Sequence, residues 1–434
     1  MAATRSPLSV SRSSALSVQW GYSAGNLGKS VVWNSFESIM LFFLVSIAGF
    51  DAIAAGLILA AALLWDAAFD LIVARWSDRR GHASELARLM IVGAPLCGVG
   101  FWLIFTLSAP WAITAAIIIC RIGYSLCDVG HNTLLIRVAH APGDAARVSG
   151  LRLLFSASGV ALLALVSGSS LSLATTEIQH RSLAAGALAG GALYIGTLLL
   201  ALVATRHLAT PPHGHPRRRS IRPIGTYWRH PPFRRLLLLI ALQAGLVSIF
   251  QRALPFYGQA VHADAGWAGP ALLTLTLAQS VALPGWMAVA RHRSSRAIAI
   301  MAYGIALIGM AGLTIASIGT VGTVLIAVFG AGLAGMNLAI WALLTETVQR
   351  AVAGGAEGEA TPVGLFLAVL KGAAALGNLL WAGVVTLGPV QFASSIFPRV
   401  DLLPLTATLL PFVGCCAALL LLTGPNPAFR RTSS

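Results

Sequence analysis

Five charged side chains lie inside apolar stretches of this sequence, where charge is least expected. They are both lysines of the chain, Lys29 and Lys371, and three aspartates, Asp66, Asp70 and Asp128. A charge placed in the hydrocarbon of a membrane costs about 3 kcal/mol or more, and charges retained there usually line an ion or substrate path. We therefore expect these five residues to act together.

The spacing of the aspartates favours cation binding. Asp66 and Asp70 are four residues apart, so a helix places both carboxylates on one face, about 6 Å apart. Two carboxylates at that distance repel each other unless a cation or a proton separates them. Hard cations prefer oxygen ligands. The hydroxyl of Ser125, one turn from Asp128, would add a further oxygen ligand.

The loop arginines indicate the depth of these charges. A helix rises about 1.5 Å per residue, so residues can be counted from the loop arginines to each charge. This count places four charges roughly 12–14 Å from the cytoplasmic surface, namely Lys29, Asp66, Asp128 and Lys371. Such a shared layer favours one functional cluster. The alternative is a static network of salt bridges that orders the helices.

A second pair of charges is expected farther from the cytoplasmic surface. Glu37 follows Lys29 by two turns, and Arg121 precedes Asp128 by two turns. We expect Glu37 and Arg121 to approach each other, either as a gate or as a fixed pair.

The composition indicates which elements position these residues. Hydrophobic residues make up 57% and charged residues 10% of the 434 residues, and the mean hydropathy is +0.81. Apolar runs of roughly 20 residues, each long enough to span a bilayer, recur along the chain. The short alternating segments of a barrel are absent. The sequence predicts an all-α membrane protein with about twelve transmembrane helices.

The arginines predict orientation and domains. The formal charge is +15, but the arginines cluster in short gaps on one side of the predicted spans, as in cytoplasmic loops, and form no continuous face for nucleic acid. Both termini are therefore expected in the cytoplasm. The longest polar gap, 206–233, divides the chain into six-helix halves at 1–205 and 234–434, the outline of a major facilitator fold. The cation site is expected in the first half.

Several motifs carry a resemblance to a known family. They are Trp65-Asp66-Ala67-Ala68-Phe69-Asp70 with the following Ser77-Asp78-Arg79, Asp128 in the fourth span, Arg152 in the fifth, and Lys371-Gly372 in the eleventh. With these motifs the chain resembles the glycoside–pentoside–hexuronide:cation symporters, the melibiose-permease-like branch of the major facilitator superfamily. The resemblance extends over most of the chain.

The resemblance implies roles for individual residues. Asp66, Asp70 and Asp128 would coordinate the cation, with Ser125 nearby, and retention of both aspartates in the second span favours sodium. Lys371 would support coupling. The sugar site would include Lys29, Tyr124, Asp128 and Arg152. The loop residues Asp78, Arg79 and Arg80 resemble the conserved cytoplasmic gate of the superfamily.

The chain departs from the family where the sugar binds. Ser30 replaces an acidic residue after the lysine of the first span, and Asn132 replaces an aromatic residue that stacks on the sugar. The substrate-binding set expected from residues and resemblance together is Lys29, Ser30, Glu37, Arg121, Tyr124, Asp128, Asn132 and Arg152.

These observations predict a sodium- or proton-coupled symporter of a small, sugar-like solute that works by alternating access. The first alternative is the same fold carrying a lysolipid or another amphiphile, and the second is a membrane sensor that does not transport. No nucleophile–base pair or metal cluster indicates an enzyme, and no cofactor is expected beyond the coupling ion. The protein is expected to be a multi-pass protein of the bacterial inner membrane, in contact with lipid and functional as a monomer.

Overall fold

The computed structural model of the protein describes residues 12–80, 88–138, 142–207, 228–315, 319–353, 360–388 and 401–424. Within these ranges the regular structure is helical throughout, and no strand occurs. The expectation of an all-α fold is therefore confirmed.

Twelve apolar helical segments follow one another along the described chain. They are α1 (Arg12–Ser38, continued by Met40–Phe42 and a π-helical turn at Phe43–Ile47), α2 (Ala52–Arg80), α3 (Leu89–Ile104), α4 (Pro110–Val138), α5 (Pro142–Leu171), α6 (Thr176–Thr205), α7 (Pro231–Leu242, a π-helical turn at Gln243–Val247, and Ile249–His262), α8 (Ala268–Ala290), α9 (Ser295–Ile315), α10 (Gly319–Ala353), α11 (Ala360–Leu387) and α12 (Leu402–Thr423).

Most of the twelve helical segments have the length and hydropathy of a membrane span. Ten segments in the described ranges are long and apolar enough to cross a membrane, and α1 becomes the eleventh if its two parts, bent by 54°, form one span. The remaining segment, α3, is shorter, with 16 residues. With α3 counted as a crossing, α1 begins and α12 ends on the same side of the membrane, here called the terminus side. The opposite side is called the far side.

Proline determines where several helices begin. Pro110, Pro142 and Pro231 are the first residues of α4, α5 and α7. The first turn of a helix has no acceptor for its N–H groups, so proline, which has no N–H and a suitable φ, is favoured there. α7 therefore begins three residues before the boundary expected at 234.

The helices form two bundles that meet along two seams. α1, α5 and α6 pack together, as do α9, α10 and α12, while α2 contacts α11 and α5 contacts α8 across the bundles. α6 ends at Thr205, and the division of the chain into halves at 1–205 and 234–434 stays a prediction. Residues 208–227 of the expected linker lie outside the described ranges.

Small residues allow the close contact between α5 and α8. A Cβ added at Gly269 would lie 2.5 Å from the carbonyl oxygen of Ala164 and 2.5 Å from Cα of Gly168. Only glycine fits at this distance, as is common where membrane helices pack backbone to backbone. Both residues are near the far ends of their helices, so this contact closes the far side.

Polar contacts also join the two bundles on the far side. Arg252 Nη2 donates to Glu37 Oε2 at 2.6 Å, and the amide of Gln251 lies 3.3 Å from both Asn34 and Ser38. Closer to the membrane surface, Ser172 donates to Asp264 at 3.2 Å. The bundles are therefore held together on the far side.

The π-helical turn of α7 supports the position of Arg252. A π-turn disturbs the regular pattern of backbone hydrogen bonds, and Arg252 Nη1 donates to the carbonyl of Ala244 within this turn at 3.2 Å. The guanidinium thus binds its own helix through Nη1 and Glu37 through Nη2. Both side chains are largely buried, with 3% and 12% exposed.

We predict that Gly269→Val opens the far side. The added methyl groups would meet the backbone of α5, and overpacking of this kind costs about 1–3 kcal/mol. Spin labels at Ala174 and Ala263, both exposed on the far side, should report a longer distance in the variant. Gly285→Val on the same helix is the control, because a Cβ at Gly285 has no atom within 4 Å. An unchanged distance in the Gly269 variant would contradict the closing role.

We also predict that Glu37 and Arg252 are energetically coupled. Removing one partner leaves a buried charge without compensation, which costs about 3–5 kcal/mol. Glu37→Gln, Arg252→Gln and the double variant should therefore show a coupling energy of about 1–3 kcal/mol in denaturant unfolding of the purified protein. The exposed pair Glu177–Arg181 is the control and should couple by less than about 1 kcal/mol. Additive effects at Glu37 and Arg252 would reject the pairing.

Candidate functional site

Asp66 lies at the centre of the first group of charges. As expected, Asp66 and Asp70 lie on one face of α2, and this face contacts α4 at Ser125 and α11 at Lys371. Asp66 Oδ1 accepts a hydrogen bond from Ser125 at 2.7 Å, and Asp66 Oδ2 forms an ion pair with Arg121. The Asp66 carboxylate and the Arg121 guanidinium are 0% and 1% exposed, so this pair is closed to solvent.

Asp70 is paired across the two bundles. Lys371 Nζ on α11 donates to Asp70 Oδ2 at 2.5 Å and lies 4.0 Å from Asp66 Oδ2. Asp70 Oδ1 is buried without a hydrogen-bond partner among the described residues. The carboxylates come from the first half, as expected, but their shared lysine comes from the second, so the charged group lies at the seam between the halves.

Asp128 belongs to a second group, which extends toward the terminus side. Lys29 on α1 forms an ion pair with Asp128. Asn132, one turn closer to the terminus side, donates to Asp128 at 3.2 Å and accepts from Arg152 of α5 at 3.1 Å. The Asp128 side chain is 19% exposed, and Asn132 is exposed. This row of polar groups is therefore more accessible than Asp66 and lies on its terminus side.

Aromatic rings surround the Arg121 guanidinium. Its central carbon lies 5.4 Å from the ring centre of Trp33, 4.8 Å from that of Phe36 and 5.2 Å from that of Tyr124. Lys371 Nζ lies 6.0 Å from the Trp33 ring. These are cation–π distances, and such contacts gain strength when the ion is removed from water. We call Trp33, Phe36 and Tyr124 the aromatic cage.

The other residues expected to bind substrate line the same region. Ser30 Oγ lies 2.5 Å from Ser156 Oγ and joins α1 to α5. The Arg152 guanidinium lies 5.8 Å from the ring of Tyr22, and Tyr22 stacks on His131. Lys29, Ser30, Asp128, Asn132 and Arg152 therefore lie on neighbouring helices around one path.

The prediction that Glu37 and Arg121 approach each other is wrong. Glu37 binds Arg252, and Arg121 binds Asp66. Arg121 and Ser125 are one turn apart on α4, and both face Asp66. The expected common depth of Asp66 and Asp128 is also off by about one turn, because the Asp66 carboxylate contacts Ser125, which precedes Asp128 on α4. Asp66 consequently lies level with Ser125, about one turn farther from the termini than Asp128.

The expected convergence of Asp66, Asp70 and Asp128 around one sodium ion does not fit the geometry. Each carboxylate pairs with its own cationic side chain, respectively Arg121, Lys371 and Lys29. No set of three histidine, cysteine, aspartate or glutamate side chains in the described ranges is placed to hold a metal ion. The arginine and lysine side chains occupy positions around the carboxylates that a metal ion would need.

The proposed gate residues Asp78, Arg79 and Arg80 form the last turn of α2. Their side chains lie outside the described part of the structure, so the expected gate stays a prediction.

The sequence analysis missed Arg252. The signal that identified the other charges, an ionised residue within an apolar span, was also present for this residue. Trp33 and Ser156 had no such signal, because their types are ordinary in membrane helices.

The charges of the site nearly cancel. Three carboxylates face three cationic side chains, and Arg152 adds one positive charge that is contacted by the neutral amide of Asn132. A path with a net positive charge favours solutes that carry anionic or strongly hydrogen-bond-accepting groups. Among these cations, Lys371 lies close to two carboxylates, 2.5 Å from Asp70 Oδ2 and 4.0 Å from Asp66 Oδ2.

Comparisons with solved structures identify the fold. A nucleoside transporter, NupG, superimposes with a TM-score of 0.63 at 13% identity, covering 94% of this chain and 100% of that one. A D-xylose–proton symporter gives 0.65 at 16% identity, covering 94% and 96%. A bacterial homologue of the human drug peptide transporters PepT1 and PepT2 gives 0.63 at 13%, covering 94% and 96%. At these identities the likeness shows the fold alone.

Comparison of sequences identifies the family. No curated protein matches the chain at a significant level. The family model described as MFS/sugar transport protein matches residues 21–423, nearly the whole chain. This match agrees with the facilitator fold and with the buried charges along a path between two helix bundles. The chain therefore belongs to the MFS/sugar transport protein family, and it is a multi-pass membrane transporter rather than an enzyme.

Proposed function

We propose that the protein is a cation-coupled symporter that carries a small, sugar-like organic solute by alternating access. The observation that supports this most strongly is the Asp70–Lys371 pair, because it joins a carboxylate of one half to an ammonium of the other at 2.5 Å. Neutralising Asp70 with a bound cation would release Lys371. Cation binding would thereby change the contact between the halves.

The energy of one such pair is of the right size for this role. Breaking a buried ion pair by removing one partner costs about 3–5 kcal/mol. Moving a two-state equilibrium from 1:99 to 99:1 needs about 5.5 kcal/mol. Loss or formation of the Asp70–Lys371 pair can therefore supply much of the bias between the two orientations of the transporter.

The solute would bind along the row formed by Lys29, Asp128, Asn132 and Arg152. These residues offer both donors and acceptors, as hydroxyl-rich solutes require. Asp128 and Asn132 are accessible in the present conformation, which is closed on the far side. The solute and the cation would meet near Lys371 and Trp33, between the two groups of charges.

One observation favours an amphiphile as the second candidate cargo. A cavity of about 290 Å³ lies among α1, α3, α5 and α6. Its lining is almost wholly apolar and includes Val31, Phe101, Leu162 and Val166. An acyl chain would fit such a surface. Binding of a lysolipid instead of a sugar would identify this cargo.

We predict that Asp70→Asn abolishes uphill uptake but retains exchange. The amide cannot take up a coupling cation as the carboxylate does, so the variant should equilibrate solute across proteoliposomes without accumulating it. Glu177→Gln, which removes an exposed carboxylate 74% accessible to solvent, is the control and should transport normally. Concentrative, gradient-driven uptake by the Asp70 variant would refute cation coupling at this residue.

We also predict that Arg152→Ala weakens solute binding by roughly tenfold or more, because hydrogen bonds to a charged group contribute about 1.5–3 kcal/mol. Thermal stabilisation of the purified protein by a panel of sugars, nucleosides and lysolipids identifies the ligand, since binding to the native state raises stability. The variant should then need correspondingly more of that compound. Arg181→Ala, on the exposed far side, is the control. Equal affinity in both variants would exclude Arg152 from the binding site.

A further inference from the structure

Arg121 differs from the other cations of the site in being fully enclosed. The residue is 1% exposed, and its partner Asp66 is 0% exposed. The guanidinium contacts the three rings of the aromatic cage at 4.8–5.4 Å. Arginine stays protonated under all ordinary conditions. Asp66 therefore has a permanent positive charge beside it.

The oxygens of Asp66 are occupied by side chains. Oδ1 accepts from Ser125 at 2.7 Å, and Oδ2 binds Arg121 with Lys371 4.0 Å away. An inorganic cation at this carboxylate would have to enter beside two positive charges and replace existing contacts. Its like-charge repulsion would act in a region of low dielectric, where Coulomb forces are weakly screened.

Asp70 offers the contrasting environment. It contacts only one cationic side chain among the described residues, Lys371, and its Oδ1 has no hydrogen-bond partner there. A proton needs one free carboxylate oxygen, whereas a metal ion needs several oxygen ligands together. Asp70 therefore has what protonation requires and lacks the ligand set of a sodium site.

We infer that Arg121 is a tethered cation that takes the place of an inorganic ion at Asp66 and thereby makes the coupling ion a proton carried by Asp70. This inference rests on the proposed symport function and names its ion. A proton from water on one side binds Asp70 Oδ1, which leaves a neutral acid, and Lys371 keeps its own proton and separates from it. After reorientation the proton returns to water and the Asp70–Lys371 pair forms again.

The experiment measures thermal unfolding of the purified full-length chain in sodium chloride and in choline chloride of equal ionic strength. We expect the wild type to show the same unfolding midpoint in both salts. Arg121→Ala should unmask the Asp66 carboxylate, and sodium should raise the midpoint of this variant by about 2 °C or more relative to choline. The double variant Arg121→Ala with Asp66→Asn should lose this response.

Two further variants keep the test decisive. Arg252→Ala truncates another buried, carboxylate-paired arginine and should show no sodium response, which controls for general loosening. Arg121→Gln removes the charge with less loss of volume and replaces the alanine variant if that protein does not fold. If neither Arg121 variant folds, the unfolding midpoints of the wild type in sodium chloride and choline chloride test the inference. Sodium stabilisation of the wild type, or no gain of response in a folded Arg121 variant, would overturn the inference.

The failure of this inference is distinct from the failure of the proposed function. Sodium stabilisation of the wild type that disappears in Asp70→Asn would leave cation coupling intact and refute only the role of Arg121. Gradient-driven accumulation by Asp70→Asn in proteoliposomes would instead remove the coupling mechanism itself.

Discussion

Pairing of charges inside the membrane is the constraint on which the rest of this structure depends. A single ion of either sign would be costly among these apolar helices, yet the described core contains carboxylates on α2 and α4 and cations on α1, α4 and α11. Each carboxylate has its own partner, and the paired set is neutral. The helices must therefore keep a mutual position that preserves these contacts or exchanges them without leaving an ion alone.

The pairs differ in what they connect, and that difference gives them different roles. Arg121 and Asp66 join α4 to α2 within one half and are enclosed by aromatic rings. Asp70 and Lys371 join the two halves, and Glu37 and Arg252 join them again on the far side. Because these contacts hold the halves closed at the far end, opening there requires the loss of Glu37–Arg252. The glycine contact between α5 and α8 adds a second, apolar closure at the same end.

Relative to the symporters that it resembles, the chain keeps the acidic residues but changes their surroundings. The aspartates on α2 and α4 are present, and Lys371 stands beside the first two. However, Arg121 binds Asp66 directly, and Asn132, which stands where the resembled family has an aromatic residue, contacts Asp128 and Arg152. The same acidic pattern can thus serve a different ion, because an adjacent cation changes what a carboxylate can bind.

The sequence by itself determined the membrane fold, the succession of apolar helical segments and most of the charged residues of the site, because hydropathy and the cost of intramembrane charge act locally along the chain. It did not determine the partners. Rotation of α4 about its axis decides that Arg121 faces Asp66 rather than Glu37, and the packing of α7 against α1 brings Arg252 to Glu37. Partner choice depends on the relative rotation and depth of helices distant in sequence, and only tertiary packing sets these.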